Sequence, residues 1–161
     1  MLTVFKSVDT KIVRNLVEKY RENTYAMFVE YPHKSHWLDG FKEDGFKNAL
    51  KILFAVGKSP ALAFYLHIPF CPRRCYFCSC YSIVTRDYER VKAYLSYLFR
   101  EIDMLRSFFD ENSIVPNFKE IHFGGGSPSY LKEKEFDQLM DKIQTVVDMK
   151  RVKEVTIEID P

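Results

Sequence analysis

No cysteine lies outside one ten-residue window, Cys71 to Cys80, although the 161-residue chain holds four of them. No apolar run approaches the roughly 18 residues that a membrane-spanning helix requires, so no membrane span is expected. No block of Lys or Arg stands out, and a net charge of +2 with a pI near 8.3 is too mild to argue for nucleic acid as a partner. Internal repeats and low-complexity segments are also missing, which excludes solenoids and disordered linkers. The opening Met1-Leu2-Thr3-Val4-Phe5-Lys6 turns polar too soon for a signal peptide. The expected compartment is therefore the cytoplasm, where thiols stay reduced and clustered cysteines more often bind metal than form disulfides.

The residues present describe a globular chain. Hydrophobic residues make up 47% and charged residues 29%, which suits one domain with a real core. Aromatics, at 16%, are abundant and suit pockets or a dense interior. Asp9 or Thr10 can cap a first helix that places Ile12, Val13, Leu16, Val17 and Tyr20 on one face and ends near Asn23. An irregular aromatic stretch follows, holding Tyr25, Phe28, Tyr31-Pro32, His33, His36 and Trp37. With no cysteine or carboxylate pattern beside them, His33 and His36 read as part of an ordered loop rather than as metal ligands. A second helix is expected over about 42–56, with Gly57 suited to its C-terminal cap.

From Ser59-Pro60 onward the pattern becomes strand, long link, strand. Strands are expected over 61–68, 119–123 and 154–159. Between them stand helices from Asp87 to about Asn112 and over about 132–148. Alternation of this kind reads as parallel βα units with right-handed crossovers. Each strand has one apolar face: Leu62, Phe64, Leu66 and Ile68; Ile121 and Phe123; Val155, Ile157 and Ile159. Their opposite faces carry Ala63, Tyr65 and His67, then Glu120 and His122, then Thr156, Glu158 and Asp160. A closed eight-stranded barrel fills its interior with Val, Ile and Leu and takes about 250 residues. A polar interior implies a ligand, and three strands imply a fragment of a larger barrel. The α/β chain is thus expected to be a partial (β/α) barrel preceded by a helical N-terminal arm. Its last strand should leave an apolar edge uncovered, with poor autonomous stability.

The cysteines are spaced C-x3-C-x2-C, with Cys80 two residues later. Structural zinc sites usually need two C-x2-C pairs, and only one is present. Three thiolates on one short loop suit three corners of a 4Fe-4S cluster, leaving the fourth iron open; zinc, a redox disulfide and buried thiols remain the alternatives. Gly124-Gly125-Gly126 follows the second core strand, where glycine permits close backbone approach and positive φ. No Gly-Lys-Ser/Thr follows, so this is not a Walker loop. The cysteine loop, the glycine loop and Glu158 all fall at strand C-terminal ends, which form the active face of a βα barrel.

The stretch Tyr65-Leu66-His67-Ile68-Pro69-Phe70-Cys71, with Cys75, Phe77, Cys78 and Cys80, resembles the radical S-adenosylmethionine (radical SAM) signature of oxygen-independent coproporphyrinogen III oxidases. Ile83-Val84-Thr85-Arg86, Gly124-Gly125-Gly126-Ser127-Pro128 and Ile157-Glu158-Ile159-Asp160-Pro161 resemble the same family, in the same order. The resemblance implies a helical arm over 1–57 and a radical SAM core over 58–161, truncated at its third strand. It implies that Cys71, Cys75 and Cys78 ligate the 4Fe-4S cluster, and that Tyr65, Gly125 and Glu158 contact one S-adenosylmethionine. Phe77, Gly126 and Ser127 match positions around a second S-adenosylmethionine. Cys80 matches an extra cysteine that favours the oxidases over a related haem-chaperone branch, and is the candidate catalytic residue. Ser79 stands where the family commonly has glycine, and Ser127 where it has threonine.

The implied activity is oxidative decarboxylation of propionate side chains to vinyl groups on a porphyrinogen, in haem biosynthesis. Electrons would come from a low-potential donor such as flavodoxin or ferredoxin. The alternative within the resemblance is a haem-binding chaperone, or a radical SAM enzyme acting on a different tetrapyrrole. A plain zinc module is the alternative outside it.

Overall fold

The computed structural model describes residues 10–21, 40–55, 59–78 and 80–160. Asp9, Asn23, the aromatic stretch with His33 and His36, Gly57, Ser79 and Pro161 lie outside them. The chain divides into two compact units, Met1–Phe41 and Lys42–Pro161. In the first, α1 spans Thr10–Tyr20, and its expected apolar face of Ile12, Val13, Leu16 and Val17 is exposed.

The second unit contains α2, Glu43–Ala55. Acidic Glu43 and Asp44 occupy its first turn, where the helix dipole favours them. Leu50 and Phe54 pack against the core, and Phe54 meets Phe109 edge-on at 6.0 Å. The helix therefore goes with the sheet and not with α1.

Four further elements build the sheet and its first crossover. They are β1 (Ala61–Ile68), β2 (Phe70–Cys71), β3 (Ile83–Val84) and α3 (Tyr88–Glu111). The Asp87 carboxylate accepts the Glu89 N–H at 3.1 Å, making it the N-cap that the sequence predicts for α3. Next come β4 (Asn117–Gly125), α4 (Glu133–Gln144) and β5 (Glu154–Ile157). The main sheet has the order β1-β4-β5 with both pairings parallel, and α3 and α4 lie in its crossovers. This is the partial (β/α) barrel arrangement that the alternation predicts.

Strand β5 ends at Ile157 rather than 159 and β4 runs on to Gly125 rather than 123; two further boundaries differ from expectation for local reasons. Helix α4 stops at Gln144 rather than near 148, because β-branched Thr145, Val146 and Val147 follow. Thr145 instead turns its hydroxyl onto the Lys142 carbonyl at 2.7 Å, and Val147 stays buried. Strand β4 starts two residues early with a bulge, since Leu62 pairs with Phe118 but Ala63 pairs with Glu120. The bulge puts Phe118, Ile121 and Phe123 all into the core.

That core joins the apolar faces of β1 and β4 to α3 and α4 through Leu66, Ile68, Val91, Ile121, Phe123, Leu139 and Ile143. Each such side chain contributes about 1.5–3 kcal/mol on burial. The apolar side of β5 differs: Val155 is 52% and Ile157 41% exposed, and Ile159, two residues past the strand, is 65% exposed. Among the described residues, no helix is long and apolar enough to cross a membrane.

Candidate cofactor site at the strand ends

Beyond β1 the chain turns through Pro69 into β2, which pairs in parallel with β3. These two short strands pin the ends of the cysteine loop. The Ile83 N–H donates to the Pro69 carbonyl at 2.6 Å, and the Thr85 N–H to the Cys71 carbonyl at 3.1 Å. The base of the loop is tied in turn to the glycine loop after β4. There the Gly126 N–H reaches the Ile68 carbonyl at 2.8 Å, and the Ser127 N–H reaches the Phe70 carbonyl at 2.9 Å. Two stretches far apart in sequence thereby become one ledge at the C-terminal end of the sheet.

Cys71 is half-buried at the root of the loop, Cys78 is half-buried further along, and Cys75 and Cys80 are exposed. A hydrogen bond from the Cys78 N–H to the Cys75 carbonyl, 3.2 Å long, folds the segment back. Burial pushes the Cys71 thiol up, and the neighbouring charges of Cys78 and Cys75 push it further. The Cys78 thiol is lowered, first by a backbone hydrogen bond from Cys80 and then by the Ser82 hydroxyl, 3.8 Å from its sulfur. Burial raises the Cys80 thiol, followed by Cys78 and, more weakly, Glu158. The sulfurs thus share one electrostatic field.

Among the described residues, no group of three or more His, Cys, Asp or Glu side chains is drawn close enough to hold a metal ion. The thiols are neighbours on a loop rather than a closed coordination sphere. Their chemistry nevertheless fits a thiolate-ligated iron–sulfur group: three soft donors on one loop, repelling one another as anions. The glycine loop leaves room beside the first of them, since a Cβ at Gly126 would stand 2.9 Å from Cys71 Sγ.

A second set of side chains stands on the polar face. Tyr65, His122 and Thr156 occupy one register position across β1, β4 and β5. The Tyr65 and His122 rings accordingly stack, 5.5 Å apart and 14° from parallel. His67 Nε2 lies 3.1 Å from the Tyr81 carbonyl oxygen, which can only accept, so that nitrogen carries a proton. With the imidazole neutral, its Nδ1 accepts the Tyr65 O–H at 3.0 Å. The Tyr65 oxygen then keeps its lone pairs for a ligand. Burial raises the Tyr65 pKa, helped by Glu158 and Cys80, and so holds the phenol neutral.

Glu158 lies just past β5, with its N–H on the Phe123 carbonyl at 2.9 Å. Its Oε1 is 3.1 Å from His122 Nε2, and its Oε2 accepts the Gly125 N–H at 3.0 Å. Gly125 has φ +115°, and a Cβ there would meet the His67 ring at 2.7 Å. A Cβ at Gly124 would meet Glu158 Oε1 and Tyr65 Cε2 at 2.9 Å. Arg73, on the cysteine loop, reaches Asp160 at 3.5 Å.

The structure therefore brings Tyr65, Gly125 and Glu158 together, and places Gly126 against Cys71. Ser127 is buried, with its hydroxyl 3.0 Å from that of Ser129. Phe77 projects from the cysteine loop as an exposed ring. Sequence reasoning did not find the His122–Glu158 pair or the Arg73–Asp160 contact. Strand register was the signal available for the first; nothing local announces the second.

A model of the radical SAM superfamily matches residues 65–161. A protein of Mannheimia haemolytica called oxygen-independent coproporphyrinogen III oxidase is 33% identical over 148 residues, covering 91% of this chain and 94% of that protein. A protein of the same name from Escherichia coli K12 is 32% identical over 148 residues, and there the chain spans 30% of the relative's length. A solved structure of coproporphyrinogen III oxidase from Escherichia coli, described as a radical SAM enzyme, superposes with a TM-score of 0.66 at 26% identity. That match covers 95% of this chain and 31% of the solved one.

Proposed function

Because this chain belongs to the radical SAM superfamily, among the oxygen-independent coproporphyrinogen III oxidases, we propose that it forms the cofactor-binding part of a radical SAM oxidoreductase acting on a porphyrinogen. The observation that carries this is the meeting, at adjoining parallel strand ends, of the cysteine loop, the glycine loop and Glu158. In this reading Cys71, Cys75 and Cys78 hold a 4Fe-4S cluster. Held there and reduced, such a cluster would supply the single electron that cleaves the sulfonium of S-adenosylmethionine and so starts the oxidation of a propionate side chain.

The protein's share is placement. Tyr65 and Glu158 present a neutral phenol oxygen and a carboxylate from one side, the pair of groups suited to a ligand carrying both amine and carboxylate. The backbone of Gly124 and Gly125 lets Glu158, Tyr65, His122 and His67 close in upon it, which sets the two groups beside each other. Phe77, exposed on the cysteine loop, offers a ring to a second S-adenosylmethionine beside Gly126 and Ser127. Cys80 is exposed on the same loop, two residues past Cys78, and is the candidate catalytic residue. The reducing electron enters from a low-potential carrier of the flavodoxin or ferredoxin kind. Oxidative decarboxylation of a coproporphyrinogen propionate to a vinyl group is the reaction proposed.

Anaerobic reconstitution with iron and sulfide tests the assignment in two stages. The protein should take up iron and acid-labile sulfide and lose both when Cys71, Cys75 or Cys78 becomes serine. Supplied with S-adenosylmethionine, reductant and coproporphyrinogen, it should release 5′-deoxyadenosine together with a decarboxylated product. Cofactor cleavage with no decarboxylation would remove the substrate and leave the cluster assignment standing.

A further inference from the structure

Glu158 lies beyond the end of its strand, and its side chain is about half exposed. Two donors hold its carboxylate, and both come from β4 or its end: the Gly125 N–H on Oε2 and His122 Nε2 on Oε1. A carboxylate has roughly four acceptor positions, so two such contacts fix its plane and leave lone pairs free for a cationic ligand. One donor alone would leave it free to rotate. His122 is itself held, because its ring stacks on Tyr65, its direct cross-strand neighbour. The three side chains close over Gly124, where a Cβ would stand 2.9 Å from Glu158 Oε1, 2.9 Å from Tyr65 and 3.0 Å from His122 Nε2.

We propose that His122 is a positioning residue for the Glu158 carboxylate, and through it for binding of the sulfonium amino acid; this rests on the function proposed above. The imidazole donates from Nε2 to Oε1, aligning the carboxylate with Tyr65 while touching no reacting atom. It acts on cofactor affinity and leaves the cluster untouched.

Equilibrium dialysis of S-adenosylmethionine against the anaerobically reconstituted protein tests this, with iron content and thermal melting measured alongside. His122→Phe keeps a flat ring on Tyr65 but lacks the donor. Its affinity should fall by about ten- to a hundredfold, the usual loss for a hydrogen bond to a charged group, with iron content unchanged. His122→Gln can return an N–H to Oε1 and should recover most of the affinity; the shorter His122→Asn should not. In turnover the KM for S-adenosylmethionine should rise while kcat changes little. If His122→Phe binds as the parent does, or His122→Gln binds as weakly as His122→Phe, the positioning role is wrong and the proposed function stands. A parent protein that takes up iron yet binds no S-adenosylmethionine would overturn both. Should His122→Phe melt early, the Gln–Asn comparison decides alone, and equal affinity in that pair refutes the role.

Discussion

Replacing Gly126 by alanine should disturb the fold and the cysteine loop together. The added Cβ would stand 2.8 Å from both the carbonyl carbon and the oxygen of Pro69, and 2.9 Å from Cys71 Sγ. Ordinary contact begins near 3.4 Å, so something must yield by about 0.6 Å. The Pro69 carbonyl cannot easily do so, because it accepts the Ile83 N–H at 2.6 Å and so anchors the β2–β3 pair. Gly126 cannot retreat without stretching its own 2.8 Å hydrogen bond to the Ile68 carbonyl. Overpacking against rigid neighbours costs roughly 1–3 kcal/mol. At about 2–4 °C per kcal/mol for a chain of this length, the melting midpoint should drop by roughly 2–12 °C.

The assay is thermal unfolding followed by circular dichroism, with iron content measured after reconstitution. Gly40→Ala serves as the control, since among the described residues nothing lies within 4 Å of a Cβ there; it should shift stability by no more than about 0.5 kcal/mol. Gly126→Ala should lose both stability and iron, because the methyl group presses on Cys71, the first of the proposed cluster ligands, as well as on the backbone. If Gly126→Ala melts within a degree of the parent and binds as much iron, the close approach that ties the two loops does not exist.

Gly124→Ala meets mostly the ends of side chains that can swing aside. It should cost less than about 1 kcal/mol of stability yet weaken S-adenosylmethionine binding more than tenfold, and equal binding would count against a site there. Tyr94→Phe removes the 2.5 Å hydrogen bond from the Tyr94 hydroxyl to the His67 carbonyl and should lower stability by about 1 kcal/mol in denaturant titration. Burial raises the Tyr94 pKa, so its contribution is complete below the ordinary tyrosine pKa and is lost as pH climbs through the higher folded value. The parent should therefore lose stability in that alkaline range more steeply than Tyr94→Phe does. Val155→Thr with Ile157→Thr should reduce concentration-dependent association in light scattering, since both residues are exposed on the apolar face of β5.

What the sequence disclosed follows from how local each signal is. Strand β1 and helix α3 were readable almost to the residue. Alternation over 61–68 depends only on neighbours two apart, and Asp87 caps α3 through a partner two residues away. The end of α4 lies short of the expected one although the apolar period runs on: Val147 stays buried past the last helical residue, and its N–H still reaches the Ile143 carbonyl at 2.9 Å. The β4 bulge was invisible, since it is a property of the pairing between Leu62–Ala63 and Phe118–Glu120 and not of either strand. The same limit hid the His122–Glu158 pair. Each residue could be assigned to a polar face, but their meeting depends on the relative register of β4 and β5 and on Glu158 lying beyond the ladder.

The glycine run shows most clearly what local pattern leaves open. Three consecutive glycines announce close approach, and a single ligand pressed against the backbone would be the economical explanation. The three positions in fact face three different neighbours. Gly124 makes room for Glu158, Tyr65 and His122, Gly125 for the His67 ring, and Gly126 for Pro69 and Cys71. Only Gly125 also needs its positive φ. The loop is thus a junction at which the carboxylate network, the histidine that orients Tyr65 and the root of the cysteine loop converge within successive residues. Such a junction couples the cysteine loop to the Tyr65–Glu158 cluster through backbone rather than through flexible side chains. It also makes the functions separable: alanine at the first position should act on ligand affinity, at the second on the Tyr65–His67 pair, and at the third on the thiol loop.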